Sequence, residues 1–157
     1  MRRILTATMA ASLLTLALAG PAAGLPTECA LPHGWVWNVE YEFEYPITCT
    51  ITGTAGPDTL SGTPADDVIC GMGGDDTIDT TGSAGVDLIL GCSGDDTLRG
   101  ALFIFGNDGD ETLEGVSGSD DELDGGRGAD ILRGRGGADS LFGGFGADTL
   151  IGGPGLD

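Results

Sequence analysis

Lysine is absent from the 157 residues, and six arginines stand against 25 aspartates and glutamates, giving a formal net charge of −19. Arg2 and Arg3 open the chain, which leaves Arg99, Arg127, Arg133 and Arg135 as the remaining cations. A chain this poor in cations has no basic face for phosphate backbones or anionic membrane surfaces, which excludes both as leading partners. Histidine is nearly missing as well. His33 stands alone in a loop, and the four cysteines form no C-x-x-C pair, so zinc has no ligand set. No Ser/His/Asp set offers an activated nucleophile, and no βαβ pattern surrounds the short glycine runs. The sequence therefore points away from an enzyme.

What is present is glycine, aspartate and a strict period. From Gly125 the chain reads GGRGADILR, GRGGADSLF, GGFGADTLI and GGPGLD, three nonads and a fourth that stops at its sixth residue. Earlier come GTAGPDTLS, GTPADDVIC, GMGGDDTID, an extra Thr80-Thr81, GSAGVDLIL and GCSGDDTLR. An acid holds position six and an aliphatic residue holds position eight. Of the 30 glycines, 27 lie from Gly53 onward, as do 21 acidic residues against four arginines, a formal charge of −17. A flexible linker would not hold one aliphatic side chain per nonad in register, and solubilising charge would not be phased with glycine. The period marks a repeat architecture and the phasing marks cation binding.

Each position has a mechanical reason. Glycines at one, two and four permit left-handed backbone, so six residues close a tight turn. Aspartate at six offers a hard anionic oxygen, and turn carbonyls offer more, the all-oxygen shell that calcium prefers; magnesium, which keeps its waters and wants a small octahedral shell, is a poor alternative. Positions seven to nine make a short strand with its central side chain inward. Two nonads form a coil of about 18 residues, and coils stack as parallel strands about 4.8 Å apart. The turns of repeats i and i+2 then face each other.

The tandem pattern GGxGxDxUx resembles the repeats-in-toxin nonapeptide over roughly residues 53–157. The resemblance implies an all-β fold, a parallel β-roll (a right-handed β-solenoid) of about 11 repeats, and Ca²⁺ as its cofactor. It assigns as side-chain ligands Asp58, Asp67, Asp76, Asp87, Asp96, Glu111, Asp121, Asp130, Asp139, Asp148 and Asp157. The turn carbonyls expected beside them are those of Gly125, Gly128, Gly134, Gly137, Gly143, Gly146, Gly152 and Gly155. Eleven acid-bearing turns allow at most about nine pairings of i with i+2, hence at most about nine ions. Departures from the pattern, such as Thr, Met, Ser or Cys at position two and Ala65 at position four, should still close but bind ions more weakly. Without ions the packed aspartates repel one another, so the chain is expected to fold only with calcium.

The middle is irregular. GALFIF (100–105) is either a bulge or a shortened repeat with Phe103-Ile104-Phe105 as its strand; the apolar triplet favours the latter. GNDGDETLE carries Glu111 at position six, and GVSGSDDELD has one extra residue, leaving Asp120 or Asp121 as the acid in register.

Residues 1–24 read as a secretory signal: Arg2 and Arg3, an apolar run from Ile4 to Ala19, then small residues, with cleavage after Ala22 or Gly24. That run is short for a membrane anchor. Many repeats-in-toxin proteins instead carry an uncleaved C-terminal export signal, so their export machinery is not carried over. Residues 25–52 form an expected N-terminal β cap, in which Trp35, Trp37, Val39, Tyr41, Phe43 and Tyr45 alternate with polar residues and make one aromatic face. In an exported chain the four cysteines suggest two disulfides. Cys29–Cys49 would staple the cap, and Cys70–Cys92 would join successive coils along one rim.

The leading expectation is a secreted, non-enzymatic protein whose partners are calcium ions. A calcium-dependent extracellular adhesion or glycan-binding module is the alternative, using the aromatic strand and the open C-terminal end. Ice binding would use Thr59, Thr77 and Thr97, a row that continues through Glu122 and Ser140 if the middle is a bulge.

Overall fold

The computed structural model describes Cys29 and residues 48–157. The expected signal segment, the aromatic strand from Trp35 to Tyr45, His33 and nearly all of the expected cap lie outside the described residues.

Twelve short strands alternate between two parallel six-stranded sheets. The first sheet holds β1 (Ile51–Thr52), β3 (Val68–Gly73), β5 (Leu88–Ser93), β7 (Phe103–Asp108), β9 (Glu122–Arg127) and β11 (Ser140–Phe145). The second holds β2 (Thr59–Ser61), β4 (Thr77–Asp79), β6 (Thr97–Arg99), β8 (Thr112–Glu114), β10 (Ile131–Arg133) and β12 (Thr149–Ile151). One strand from each sheet makes a coil, and the chain winds about six coils, the β-solenoid expected from the nonad.

The register measures each coil. Ile51 stands beside Ile69, Ile69 beside Ile89, Ile89 beside Ile104, Ile104 beside Leu123, and Leu123 beside Leu141. Only the outer steps keep the ideal 18-residue spacing. The Thr80-Thr81 insertion lengthens one coil, and GALFIF shortens the next by acting as a repeat with almost no turn. Phe103-Ile104-Phe105 is a strand, with Ile104 fully buried.

Position eight builds the core. Ile69, Ile89, Ile104 and Leu123 of the first sheet face Ile78, Leu98, Leu113 and Leu132 of the second, all at 0 % exposure. Ile51, Leu60 and Leu141 pack against this column from its ends. Such side chains are the main apolar burial available to a glycine-rich chain, about 1.5–3 kcal/mol each.

The shortened repeat also resets the outer row of the second sheet. Thr59, Thr77, Thr97 and Thr112 are neighbours, followed by Ile131 and Thr149. Glu122 and Ser140 belong to the first sheet instead. The parallel row of Asp79, Arg99, Glu114 and Arg133 is charged, so this face is no uniform hydroxyl surface.

A second apolar cluster lies on the outer face of the first sheet, where Cys70, Leu90 and Phe105 each follow an inward residue. Here the expected disulfides are corrected. Cys29 is bonded to Cys92 and Cys49 to Cys70, with Cα separations of 4.4 and 5.9 Å. Cys92 registers with Met72, two residues beyond Cys70. That offset puts the Cα atoms of Cys70 and Cys92 about 8 Å apart, beyond the roughly 7 Å a disulfide spans. Both N-terminal cysteines are therefore tied to the solenoid and not to each other.

Candidate metal centre

All but one of the repeat turns end in an acid just before the next strand, so the stacked coils carry two acid rows, one on each rim. The first rim aligns Asp58, Asp76, Asp96, Glu111, Asp130 and Asp148, which precede strands of the second sheet. The second aligns Asp67, Asp87, Asp121, Asp139 and Asp157. Between Asp87 and Asp121 the place is taken by Leu102. Its carbonyl accepts from Glu122 N–H at 2.9 Å, as the carbonyls of Asp67 and Asp121 accept from Leu88 and Ser140.

Within a row most neighbouring acids are linked by a main-chain bond, the step from Asp96 to Glu111 being the exception on the first rim. The N–H of Asp58 donates to Oδ1 of Asp76 at 2.8 Å, and that of Asp76 to Oδ1 of Asp96 at 2.8 Å. Glu111 donates to Asp130 and Asp130 to Asp148 at 2.9 and 3.1 Å. On the other rim Asp67 donates to Asp87, Asp121 to Asp139 and Asp139 to Asp157, at 3.0, 3.0 and 3.2 Å. Each such carboxylate thus spends one oxygen on holding the coils in register.

The second oxygen has a different fate. In most repeats it folds back over the position-one glycine, so that a Cβ added at Gly125, Gly134, Gly143 or Gly152 would fall on the carboxylate of Asp130, Asp139, Asp148 or Asp157. A glycine there is what admits the carboxylate. The carbonyls of Gly125 and Gly134 lie against the position-one glycines of the preceding coils, Gly106 and Gly115. At position four, the carbonyl of Gly128 points at Gly146 and that of Gly137 at Gly155. Carboxylate and carbonyl oxygens therefore run together along each rim.

Oδ2 of Asp76, Asp87, Asp96, Asp130 and Asp139, Oδ1 of Asp121 and both oxygens of Glu111 are buried without a hydrogen-bond partner. A buried carboxylate oxygen with no donor is costly to hold, and here it recurs coil after coil. Such recurring, unpartnered carboxylate oxygens are the donor set that a hard cation would take up. Among the described residues no group of three or more histidine, cysteine or carboxylate side chains is placed to hold an ion, so main-chain carbonyls must complete any shell. The residues fit a hard divalent ion taken between turns.

Comparison with known proteins agrees. Residues 50–79, 81–102, 103–122, 116–150 and 124–157 match the family described as the RTX calcium-binding nonapeptide repeat. The chain belongs to the RTX repeat family. No curated protein and no solved structure matches it.

The RTX turns are not equivalent. At Asp58 and Asp67 the free oxygen is already satisfied: Thr54 donates its N–H and hydroxyl to Asp58 at 2.5 and 2.9 Å, and Thr63 donates likewise to Asp67 at 2.6 and 2.8 Å. Threonine at position two thus occupies an oxygen that Asp76, Asp87, Asp96, Asp130 and Asp139 leave open, and the Val116 N–H fills the same place at Asp121 at 2.5 Å. Met72, Cys92, Asn107 and Arg135 close their turns by adopting positive φ, between 74° and 88°.

A further set of acids, beside the position-six row on each rim, was not foreseen. Asp66, Asp75, Asp95, Asp110 and Asp120, at position five, accept from Val86, Asp95, Asp110, Ala129 and Ala138 of the following coils, at 2.8 to 3.1 Å. The paired acids in GTPADD, GMGGDD, GCSGDD and GSDD were the signal. This set also resolves the choice between Asp120 and Asp121: Asp121 stands in the position-six row.

In the position-six rows, burial and neighbouring charge raise the affinity of Asp76, Asp96, Glu111, Asp121 and Asp130 for protons. Desolvation, then the charges of Asp76, Asp75 and Asp95, push Asp96 up to about 7. Burial and the neighbouring Asp130, Asp96 and Asp95 push Glu111 to about 10. Burial, with Asp139 and Asp120, lifts Asp121 to about 6. At Asp67 burial acts upward too, but donors from Thr63 and Thr50 outweigh it and leave the carboxyl below its ordinary value.

These directions fix a pH dependence for the calcium-free coil. An acid whose folded pKa is raised makes the folded state bind more protons, so stability is lost as pH rises from the ordinary value, near 4, through the folded one. In chelator the β signal is expected to be stronger at pH 5 than at pH 8, as read by circular dichroism. In calcium the order reverses, because bound ions require ionised carboxylates.

Proposed function

We propose that this RTX protein is a secreted, non-enzymatic calcium binder whose coil forms as ions enter between stacked turns. The observation that carries the reading is the recurrence of buried, unpartnered carboxylate oxygens along both rims. Ions would sit between successive acids, held by position-six side chains with glycine carbonyls of the same turns. On the first rim the steps run from Asp58 to Asp148 without a break. On the second they join Asp67 to Asp87, and Asp121 through Asp139 to Asp157. Leu102 removes two further steps, so capacity is at most eight ions and not the nine that repeat counting allows. Asp58 and Asp67, already served by threonine donors, are the weakest partners.

Two disulfides, with no free cysteine among the described residues, suit an oxidising exterior. Low cytosolic calcium would leave the chain unfolded for export, and external calcium would then wind it. The position-six carboxylates support a non-enzymatic role, because they stand in register along the stack and not paired across a cleft. Far-ultraviolet circular dichroism tests the reading directly. A β signal is expected in millimolar calcium and a largely disordered spectrum in excess chelator at pH 8. An identical signal in both would sink it.

A further inference from the structure

The second rim is irregular at three consecutive turns, and the irregularity creates space. The lengthened turn containing Thr80 to Gly85 and the long turn containing Gly115 to Ser119 flank Gly100-Ala101-Leu102, the turn that GALFIF almost deletes. With so little turn between two full ones, a cleft of about 410 Å³ is left. That volume lies in the range of small-ligand pockets.

Its lining is mixed. Leu102 and Val116, both half-buried, contribute aliphatic surface, while Thr81, Ser117 and Ser119 contribute hydroxyls. Arg135 completes the lining. Its guanidinium lies 2.6 Å from Oε1 of Glu114, and Arg99 lies 3.9 Å from Oε2 of the same carboxylate. Two guanidinium groups share one carboxylate, with Asp79 beside Arg99 in the sheet register, so cations are gathered at this point of a chain of net charge −19. Glu114 engages at most two of the five N–H donors of Arg135, and the Arg135 side chain is 43 % exposed.

We propose that this cleft binds a small, hydroxyl-rich ligand bearing one carboxylate, of the sugar-acid class, with Arg135 as partner of the carboxylate. The aliphatic pair suits the carbon face of a ring, the hydroxyls suit its polar edge, and a guanidinium suits a carboxylate by its forked geometry. The proposal rests on the calcium reading in one respect: ions on the Asp67–Asp87 and Asp121–Asp139 steps, to either side of the cleft, would offset the charge of the acids that flank it.

The test uses the full chain in calcium, with circular dichroism reporting coil formation separately from ligand binding. Glucuronate, its methyl glycoside (the form a polysaccharide end presents) and glucose are titrated while the amide resonances of Leu102, Ser117 and Ser119 are followed. Saturable shifts are expected with glucuronate, and glucose should bind at least about tenfold more weakly, since it lacks the charge-assisted bond. Equal affinity for the methyl glycoside would point to a polysaccharide end as the source, and loss of binding to a free sugar acid. Arg135→Gly should abolish the preference for glucuronate and leave the calcium-dependent transition intact, because glycine adopts the φ of 74° found there without penalty. No saturable shift at about 100 mM glucuronate, enough to fill a site tighter than about 10 mM, would overturn the proposal. So would equal binding of glucose, or unchanged binding by Arg135→Gly. A chain that fails to wind in calcium would instead indict the calcium reading.

Discussion

Alanine at position 130 is expected to cost the protein two ions at once. Asp130 stands in the uninterrupted row of the first rim, between Glu111 and Asp148, and each step to a neighbour is one place for an ion. It also accepts the Glu111 N–H at 2.9 Å, a bond that alanine leaves without an acceptor in a buried setting. An unpaired buried donor costs about 1–3 kcal/mol before any ion is counted. The calcium midpoint of winding should therefore rise by about tenfold or more. Native mass spectrometry in calcium should show two fewer ions per chain. Asp58→Ala is the contrast: it lies at the end of the row, its Oδ2 is served twice by Thr54, and its loss removes a single, weaker step. Equal ion loss in the two variants would contradict ions held between successive acids.

Gly128→Ala should be nearly as damaging for a reason unrelated to charge. Gly128 has φ +145°, and a Cβ there would fall on the carbonyl oxygen of Gly109 in the preceding coil. The clash has no easy relief. The Gly109 N–H is bonded to the Arg127 carbonyl at 2.9 Å and the Gly128 N–H to the Phe145 carbonyl at 2.8 Å, so moving apart breaks the ladder on both sides. Backbone collision with strained φ places the loss at about 3–5 kcal/mol. At Gly136 an added Cβ has its nearest neighbour at 3.5 Å, an ordinary contact, and φ is not positive. Gly136→Ala should shift urea unfolding in calcium by under about 1 kcal/mol. Both glycines sit in consensus-like repeats, so comparable losses would mean that glycine content matters and not its placement.

Much of the coil was legible because its rules are local. Acid at six and aliphatic at eight recur within nine residues, and from them the inward row of Ile69, Ile78, Ile89 and Leu98 follows directly. The apolar triplet Phe103-Ile104-Phe105 was enough to place a strand in the shortened repeat. What was not legible depends on how one coil lies on the next. Cys70 and Cys92 look like neighbours along the chain, but the Thr80-Thr81 insertion accounts for only part of their offset and leaves Cys92 opposite Met72. The position-five set exists only across coils, since Asp110 meets Ala129 through stacking alone. The break at Leu102 and the cleft beside it have the same origin: a missing turn is visible in sequence, whereas the space it leaves is defined by its neighbours.

The placement of the two cystine links gives the molecule a direction. Cys49–Cys70 and Cys29–Cys92 fasten the early windings, whereas nothing covalent crosses from β7 to β12. When calcium is scarce, the windings from β7 to β12 should loosen first, like the free turns of a spring clamped elsewhere, and the clamped windings should be the last to let go. Refilling would then proceed outward from windings whose cross-linked strands stay within reach of one another.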